Sequence, residues 1–376
     1  MRLGLTVRTK RIIRLALCAF AGIIVLAFLF IWSGAYSVAA SRGHWTVMEW
    51  FLTFAMRNSV KTHAYGIEAP PLDNADLVTL GAGHFHSGCA FCHGAPGVAI
   101  SPIARAMLPP PPDLATQMRP WRDRELFWIV KNGIKYTGMP AWAAQQRDDE
   151  VWGLIAFLRR LPALDADAYR ALALGGLEIP PQTGREVATS EAASATVGAC
   201  ARCHGDERNA PQSGLVPSLH GQPAEFLDAA LEAYARGRRA SGIMQPIAID
   251  LRPDDRYQVT RYYAGLLPPS RPLDLLPAAS AAIARGRMLA EQGDAGAKVP
   301  ACSGCHGANA LSAYPRLAGQ NAPYMANRLR LWKGGLGPGT EGEAIMAPLA
   351  RMLTEQQIAD VSAYYASVVA SATRAR

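Results

Sequence analysis

Six of the seven cysteines in this 376-residue chain fall in three pentapeptides of one form. They are Cys89-Ala90-Phe91-Cys92-His93, Cys200-Ala201-Arg202-Cys203-His204 and Cys302-Ser303-Gly304-Cys305-His306. Two thiols three positions apart on a helical turn point the same way, and a histidine follows each pair at once. Whatever fold the chain adopts must present this constellation three times, roughly a hundred residues apart.

The spacing reads as covalent attachment of a c-type haem. Two sulfurs on one face can add to the two vinyl groups along one edge of a porphyrin, and the adjacent imidazole is then placed to reach the iron. Three haem c groups are expected, bound by thioethers through Cys89 and Cys92, Cys200 and Cys203, and Cys302 and Cys305. Their proximal ligands are His93, His204 and His306. Zinc needs four ligands from two such pairs, and three pairs do not divide evenly. A disulfide or dithiol redox pair leaves the threefold histidine unexplained. Cys18 lies alone in an apolar run and reads as a buried small hydrophobe.

A thioether follows each motif at a matched distance: Met139 in "TGMPAW", Met244 in "SGIMQPIAIDL" and Met346 in "EAIMAPLARML". Methionine is a soft donor, and His/Met ligation raises a haem's potential. Met107, Met118, Met325 and Met352 also lie between a motif and its unit's end, and Met352 rivals Met346. His84 and His86 precede the first motif, leaving bis-histidine ligation as a second option there.

The remaining patterns are helical. "DDEVWGLIAFLRRL", with Asp148 as N-cap candidate, "DDRYQVTRYYAGLL" and "TEQQIADVSAYYASVV", with a capping box from Thr354 to Gln357, close the three units. Their aromatics, Trp152 with Phe157, Tyr262 with Tyr263 and Tyr364 with Tyr365, read as packing core. The segments 216–237 and 314–335 share the pattern P-x-L-x-G-Q. Within it Pro217 and Pro315 are candidates for the loop carbonyl that orients the proximal imidazole. His220 stands where the third unit has Ala318, and reads as a surface substitution.

Residues 75–165 resemble a class I cytochrome c domain, through "CAFCHG", "RDRELFWIVKNGIKYTGMPAW" and the closing amphipathic helix. Residues 183–370 are similar to tandem dihaem cytochromes c that donate electrons to haem-copper oxidases. The resemblance implies the same axial ligands, His93, His204 and His306 with Met139, Met244 and Met346. Two departures are the stiff "PPPPDL" loop (109–114) and a less regular N-terminal helix in the second unit.

Charge and hydropathy place the chain at a membrane. The formal net charge is +8, but five of those charges sit in the first fourteen residues, ahead of an uncharged run from Leu15 to Ser41. Basic residues before an apolar span suit a cytoplasmic N-terminus; a cleaved signal peptide with a site at Ser37-Val38-Ala39 is the alternative. Trp45, Trp50, Phe51 and Phe54 fit an interfacial aromatic belt, or a helix packed on the first unit. The charge is not a nucleic-acid patch.

The expectation is therefore an all-α protein. A membrane anchor or signal peptide (1–42) and an interfacial linker (43–69) precede three cytochrome c domains at 70–168, 180–270 and 277–372. Pro-rich connectors at 174–184 and 266–277 act as short semi-rigid spacers. Such a protein is a single-pass inner-membrane electron carrier with its haems in the periplasm, and no small-molecule substrate is expected. It delivers electrons to a terminal oxidase or serves as the cytochrome subunit of a dehydrogenase. A haem peroxidase would need one unit to lose its methionine.

Overall fold

The computed structural model describes residues 7–39, 41–117, 120–175, 192–267, 277–307 and 310–368, and among them the structure is helical, with two isolated β-bridges and no strand. The first helix, Val7–Trp32, has a mean hydropathy of 2.8 over its most apolar window and no buried residue. At 26 residues it is long enough to cross a hydrocarbon core.

The second helix, Thr46–His63, differs between its two ends. Trp45, Trp50, Phe51 and Phe54 lie open to solvent along its N-terminal half. At its other end Val60 and Ala64 are fully buried, and the His63 ring lies 5.6 Å from that of Trp128. This second helix is thus docked on the first unit by its C-terminal turn.

The first unit is built on helices Ala75–Gly88 and Asp148–Arg160, which cross at their glycines. A Cβ on Gly81 would lie 2.1 Å from the Gly153 carbonyl oxygen, so the close approach requires glycine. Phe85 and Phe157 meet in the fully buried core with ring centres 5.2 Å apart. In the third unit, helices Pro277–Gln292 and Glu355–Ser367 repeat the crossing, with a Cβ on Gly286 falling 2.0 Å from Asp360 O.

The second unit differs. Its helix Ala192–His204 runs unbroken through the haem motif, and a Cβ on Gly198 would meet nothing within 4 Å. The less regular N-terminal segment seen in the sequence therefore corresponds to a looser helix pair.

One local expectation needs correction. Asp148 is the first helical residue and Arg147 the cap, so Asp148, Asp149 and Glu150 together place negative charge at the positive helix end. The capping box of Thr354 and Gln357 forms as expected. The Pro-rich connectors fall largely outside the described residues. What joins the units among the described residues is side-chain packing: Ala240, Trp332, Leu336, Ala347 and Ala350 belong to the same apolar cluster as the first unit's core.

Candidate functional site

In each motif one helical turn sets the geometry. The His93 amide donates to Cys89 O at 2.9 Å, and that of His306 to Cys302 O at 2.9 Å. Cys200, Cys203 and His204 lie on continuous helix. The chain then leaves the first two motifs through glycines with positive φ, Gly94 at 65° and Gly205 at 76°, a region that disfavours a Cβ. Tyr263, fully buried on the closing helix, donates to Gly205 O at 2.8 Å, so the aromatic expected as core also pins the motif's exit.

All three imidazoles are held alike. Nδ1 of His93, His204 and His306 lies 2.9 Å from the carbonyl oxygen of Pro112, Pro217 and Pro315 respectively. A carbonyl can only accept, so each Nδ1 carries the proton and each Nε2 is left with its lone pair for a metal. The sequence pointed to Pro217 and Pro315. It did not point to Pro112, which sits in the "PPPPDL" loop and does the same work. Burial lowers all three imidazoles below their ordinary value, partly offset by these carbonyls, which keeps them neutral and able to ligate.

The thioethers are positioned by loops and helix starts. The Met139 amide donates to Thr137 Oγ1 at 3.1 Å, within a turn opened by Gly133. Met107 approaches the same turn, its Sδ lying 2.6 Å from where a Cβ on Gly138 would be. Met244 begins helix Met244–Asp250 and its amide donates to Ser241 Oγ at 3.0 Å. Ser241 Oγ in turn donates to Glu150 Oε1 of the first unit at 2.6 Å, while the Gly242 amide donates to Glu150 Oε2 at 2.7 Å. Burial pushes the Glu150 carboxyl above the usual range, against the pull of Arg147.

Met346 lies in helix Glu341–Met352 and lines the same cavity as His306. Its rival Met352 is 44% exposed and lies outside that lining.

One cavity of about 1320 Å³ runs through the second and third units and is walled in part by the first, through residues such as Leu80 and Trp152; Cys200, Cys203, His204 and Met244 line it together with Cys302, Cys305, His306 and Met346. Its walls are mainly aliphatic and aromatic. Arg239 and Arg328 are buried beside it and flank Glu343, with Arg239 Nε 2.9 Å from Glu343 Oε1. Burial pushes the Glu343 carboxyl up, but the two guanidiniums outweigh it and hold it below the usual range. Two cations against one anion leave a surplus positive charge, and Arg328 Nε has no hydrogen-bond partner. A large apolar cavity with soft and imidazole donors and a spare buried cation fits a porphyrin with anionic propionates.

The first unit's helix passes directly behind the second motif, since a Cβ on Gly83 would lie 3.3 Å from Cys203 Sγ. His84 lines the shared cavity and packs edge-on against Trp142, and burial lowers its pKa to about 4, with a smaller push from Arg202. His86 Nδ1 pairs with Tyr169 Oη at 3.0 Å. His220, expected at the surface, is buried, and its ring bridges Ser218 Oγ at 3.1 Å and Asp206 O at 2.7 Å. The reason is that the loop it sits on faces inward, toward Tyr263.

The competing readings of the cysteines find little support. Among the described residues no group of three or more His, Cys, Asp or Glu could hold a metal ion. Burial, then the neighbouring thiol, pushes Cys89 up to about 12 and Cys200 up to about 11, opposite to an activated redox pair.

Comparison with known proteins agrees with this geometry. Residues 76–158 match the family described as cytochrome C oxidase, cbb3-type, subunit III, and residues 284–368 match the cytochrome c family. Among curated relatives, cytochrome c4 of Thiocapsa roseopersicina is 33% identical over 189 residues, covering 49% of this chain and 93% of that protein. A thiosulfate dehydrogenase electron acceptor of Thiomonas intermedia is 30% identical over 204 residues, covering 54% and 90%. Another of that description, from Stutzerimonas stutzeri, is 28% identical over 188 residues, covering 49% and 86%. The chain belongs to the cytochrome c family, and its chemistry is electron transfer at covalently attached haem c.

Proposed function

We propose that the chain carries three haems c, one in each of three domains at 70–168, 180–270 and 277–372, and relays single electrons outside the cytoplasmic membrane. The observation that carries this reading is the threefold motif with an identical 2.9 Å imidazole-to-proline bond in every unit.

Haem c, when bound, supplies a one-electron ferric/ferrous couple. The six cysteines would tether it. His93, His204 and His306 would offer it Nε2, with the ring orientation fixed by the proline carbonyls. Met139, Met244 and Met346 would each offer it a thioether and favour the reduced state. Arg239 and Arg328 would offset propionate charge at the second and third sites, and the apolar walls would exclude water. The first unit's helix beside Cys203 supports a relay from one unit to the next.

The Val7–Trp32 helix supports tethering to the inner membrane, with the haem domains in the periplasm. For the direction of flow, the two relatives described as thiosulfate dehydrogenase electron acceptors support an entry point at a dehydrogenase. The match of residues 76–158 to an oxidase subunit supports an exit toward a terminal oxidase.

A pyridine haemochrome assay with intact-protein mass spectrometry tests the core reading, and three covalent haems per chain are expected. Met139→Leu, Met244→Leu and Met346→Leu should each abolish one third of the iron–thioether charge-transfer absorption; Met107→Leu and Met352→Leu should leave it whole. Stopped-flow mixing with a purified dehydrogenase, and separately with oxidase-containing membranes, tests the partners. Reduction by the first and oxidation by the second are expected.

A further inference from the structure

The proximal histidines of the second and third units are each held by a peptide group whose other side belongs to the opposite unit. The peptide joining Pro217 to Ser218 takes the His204 Nδ1 proton on its carbonyl. Its N–H donates to Gln320 Oε1 of the third unit at 2.8 Å, and Gln320 Nε2 returns a bond to Ser218 O at 2.9 Å. The peptide joining Pro315 to Arg316 takes the His306 proton. Its N–H donates to Gln222 Oε1 of the second unit at 2.9 Å, and Gln222 Nε2 donates to Arg316 O at 2.8 Å.

Gln222 and Gln320 hold the same place in the P-x-L-x-G-Q repeat, and both are buried. The two bridges are therefore one arrangement applied twice, in opposite directions. The first unit carries no such repeat, and its Pro112 is followed by Asp113 and Leu114.

A peptide N–H that donates a hydrogen bond pushes electron density through the conjugated C–N bond onto its own carbonyl oxygen. That oxygen then accepts more strongly from the imidazole N–H. The ring becomes a more basic ligand and stabilises the ferric state. Each glutamine thus acts on an imidazole in the other unit, through one peptide group.

We propose that Gln222 and Gln320 are crossed positioning residues: Gln320 sets the potential of the haem held by His204, and Gln222 that of the haem held by His306. The inference rests on the assignment of His204 and His306 as axial ligands. It makes the second and third haems a coupled pair whose potentials depend on an intact mutual interface.

The test is a redox titration of the full-length holoprotein, followed by NMR so that the three haems are resolved. Gln320→Met keeps the volume but removes both bonds to Ser218, along with the one Gln320 Oε1 accepts from the Asn321 amide of its own unit. It should raise the potential of the second-unit haem and leave the third-unit haem unchanged. Gln222→Met should do the reverse. The expected change is about tenfold in the ferrous-to-ferric ratio at fixed potential, or about 59 mV for a one-electron couple. Gln320→Glu and Gln222→Glu keep the acceptor oxygen and should hold the potential at or below the parent value; they keep the test standing where methionine prevents folding.

A shift in the mutated unit's own haem, an equal shift in both, or none at all overturns the proposal. A rise with glutamate as large as that with methionine also overturns it, because interface loosening alone would then suffice. The ligand assignment fails separately, if His204→Ala leaves the second haem's axial imidazole signals in place.

Discussion

His93 and His204 hold their Nδ1 protons on proline carbonyls at the same 2.9 Å, yet the two prolines answer to different parts of the molecule. Pro112 lies in a loop of the first unit's own, followed by an Asp113 side chain that accepts from the Ala115 amide at 2.9 Å. Pro217 lies on a loop whose next residue is gripped by Gln320, 102 positions away. The first unit holds its imidazole with its own loop, although His84 and Glu150 also line the cavity of the other two, whereas the second and third units exchange glutamines. One motif's imidazole can thus be held from within its own unit or through a neighbouring unit, and the difference lies outside the motif.

The shared cavity gives the largest expected effect. Cys302→Ala with Cys305→Ala should remove one whole covalent haem by mass and also lower the melting temperature of the second unit. Cys89→Ala with Cys92→Ala should remove one haem and leave the second and third units' melting intact. Equal coupling in both variants would break the contrast.

Next comes Glu343, buried between Arg239 and Arg328. Glu343→Ala strands two buried guanidiniums and should destabilise the paired units by about 3–5 kcal/mol, read by denaturant unfolding. The first unit's transition should move less. Glu343 also gives a pH signature. Its folded pKa is depressed below the ordinary 4.5, so its contribution is full above that value and is lost as pH falls through the folded pKa. The paired units should therefore loosen in acid, and Glu343→Gln should flatten that part of the profile.

Smaller effects sharpen the contrast between helix pairs. Gly81→Ala and Gly286→Ala place a methyl against a backbone carbonyl and should each destabilise by about 1–3 kcal/mol. Gly198→Ala meets open space and should be neutral or stabilise by up to about 1 kcal/mol. Thermal unfolding of the three variants ranks them, and a penalty at Gly198 matching that at Gly81 would show that the second pair packs as tightly as the others.

Much of the candidate site was legible because its parts are close in sequence. A thiol, a second thiol and an imidazole within five residues share one helical turn, and the closing helices carry their own periodicity and caps. Met346 could be singled out from Met352 only as a preference; the helix that turns Met346 toward the cavity also leaves Met352 outside. His220 was misread because its alignment with Ala318 suggested a tolerant position, whereas the loop carries it inward to Asp206 and Ser218. Glu150 was invisible as a site residue: it reads as the third acid of a helix start, and only folding brings it to Ser241 and Gly242, 91 and 92 positions on.

The sequence by itself determined the family and where along the chain its three motifs occur, since each motif is a set of donors separated by a single helical turn. It also determined the N-terminal apolar helix, because hydropathy is a property of composition. The tertiary structure alone decided how the units contact one another. The bonds that link the second and third, from Gln222 to Arg316 and from Gln320 to Ser218, span 94 and 102 residues. No local spacing encodes contacts at that range; they exist because packing buries polar groups that must then find partners.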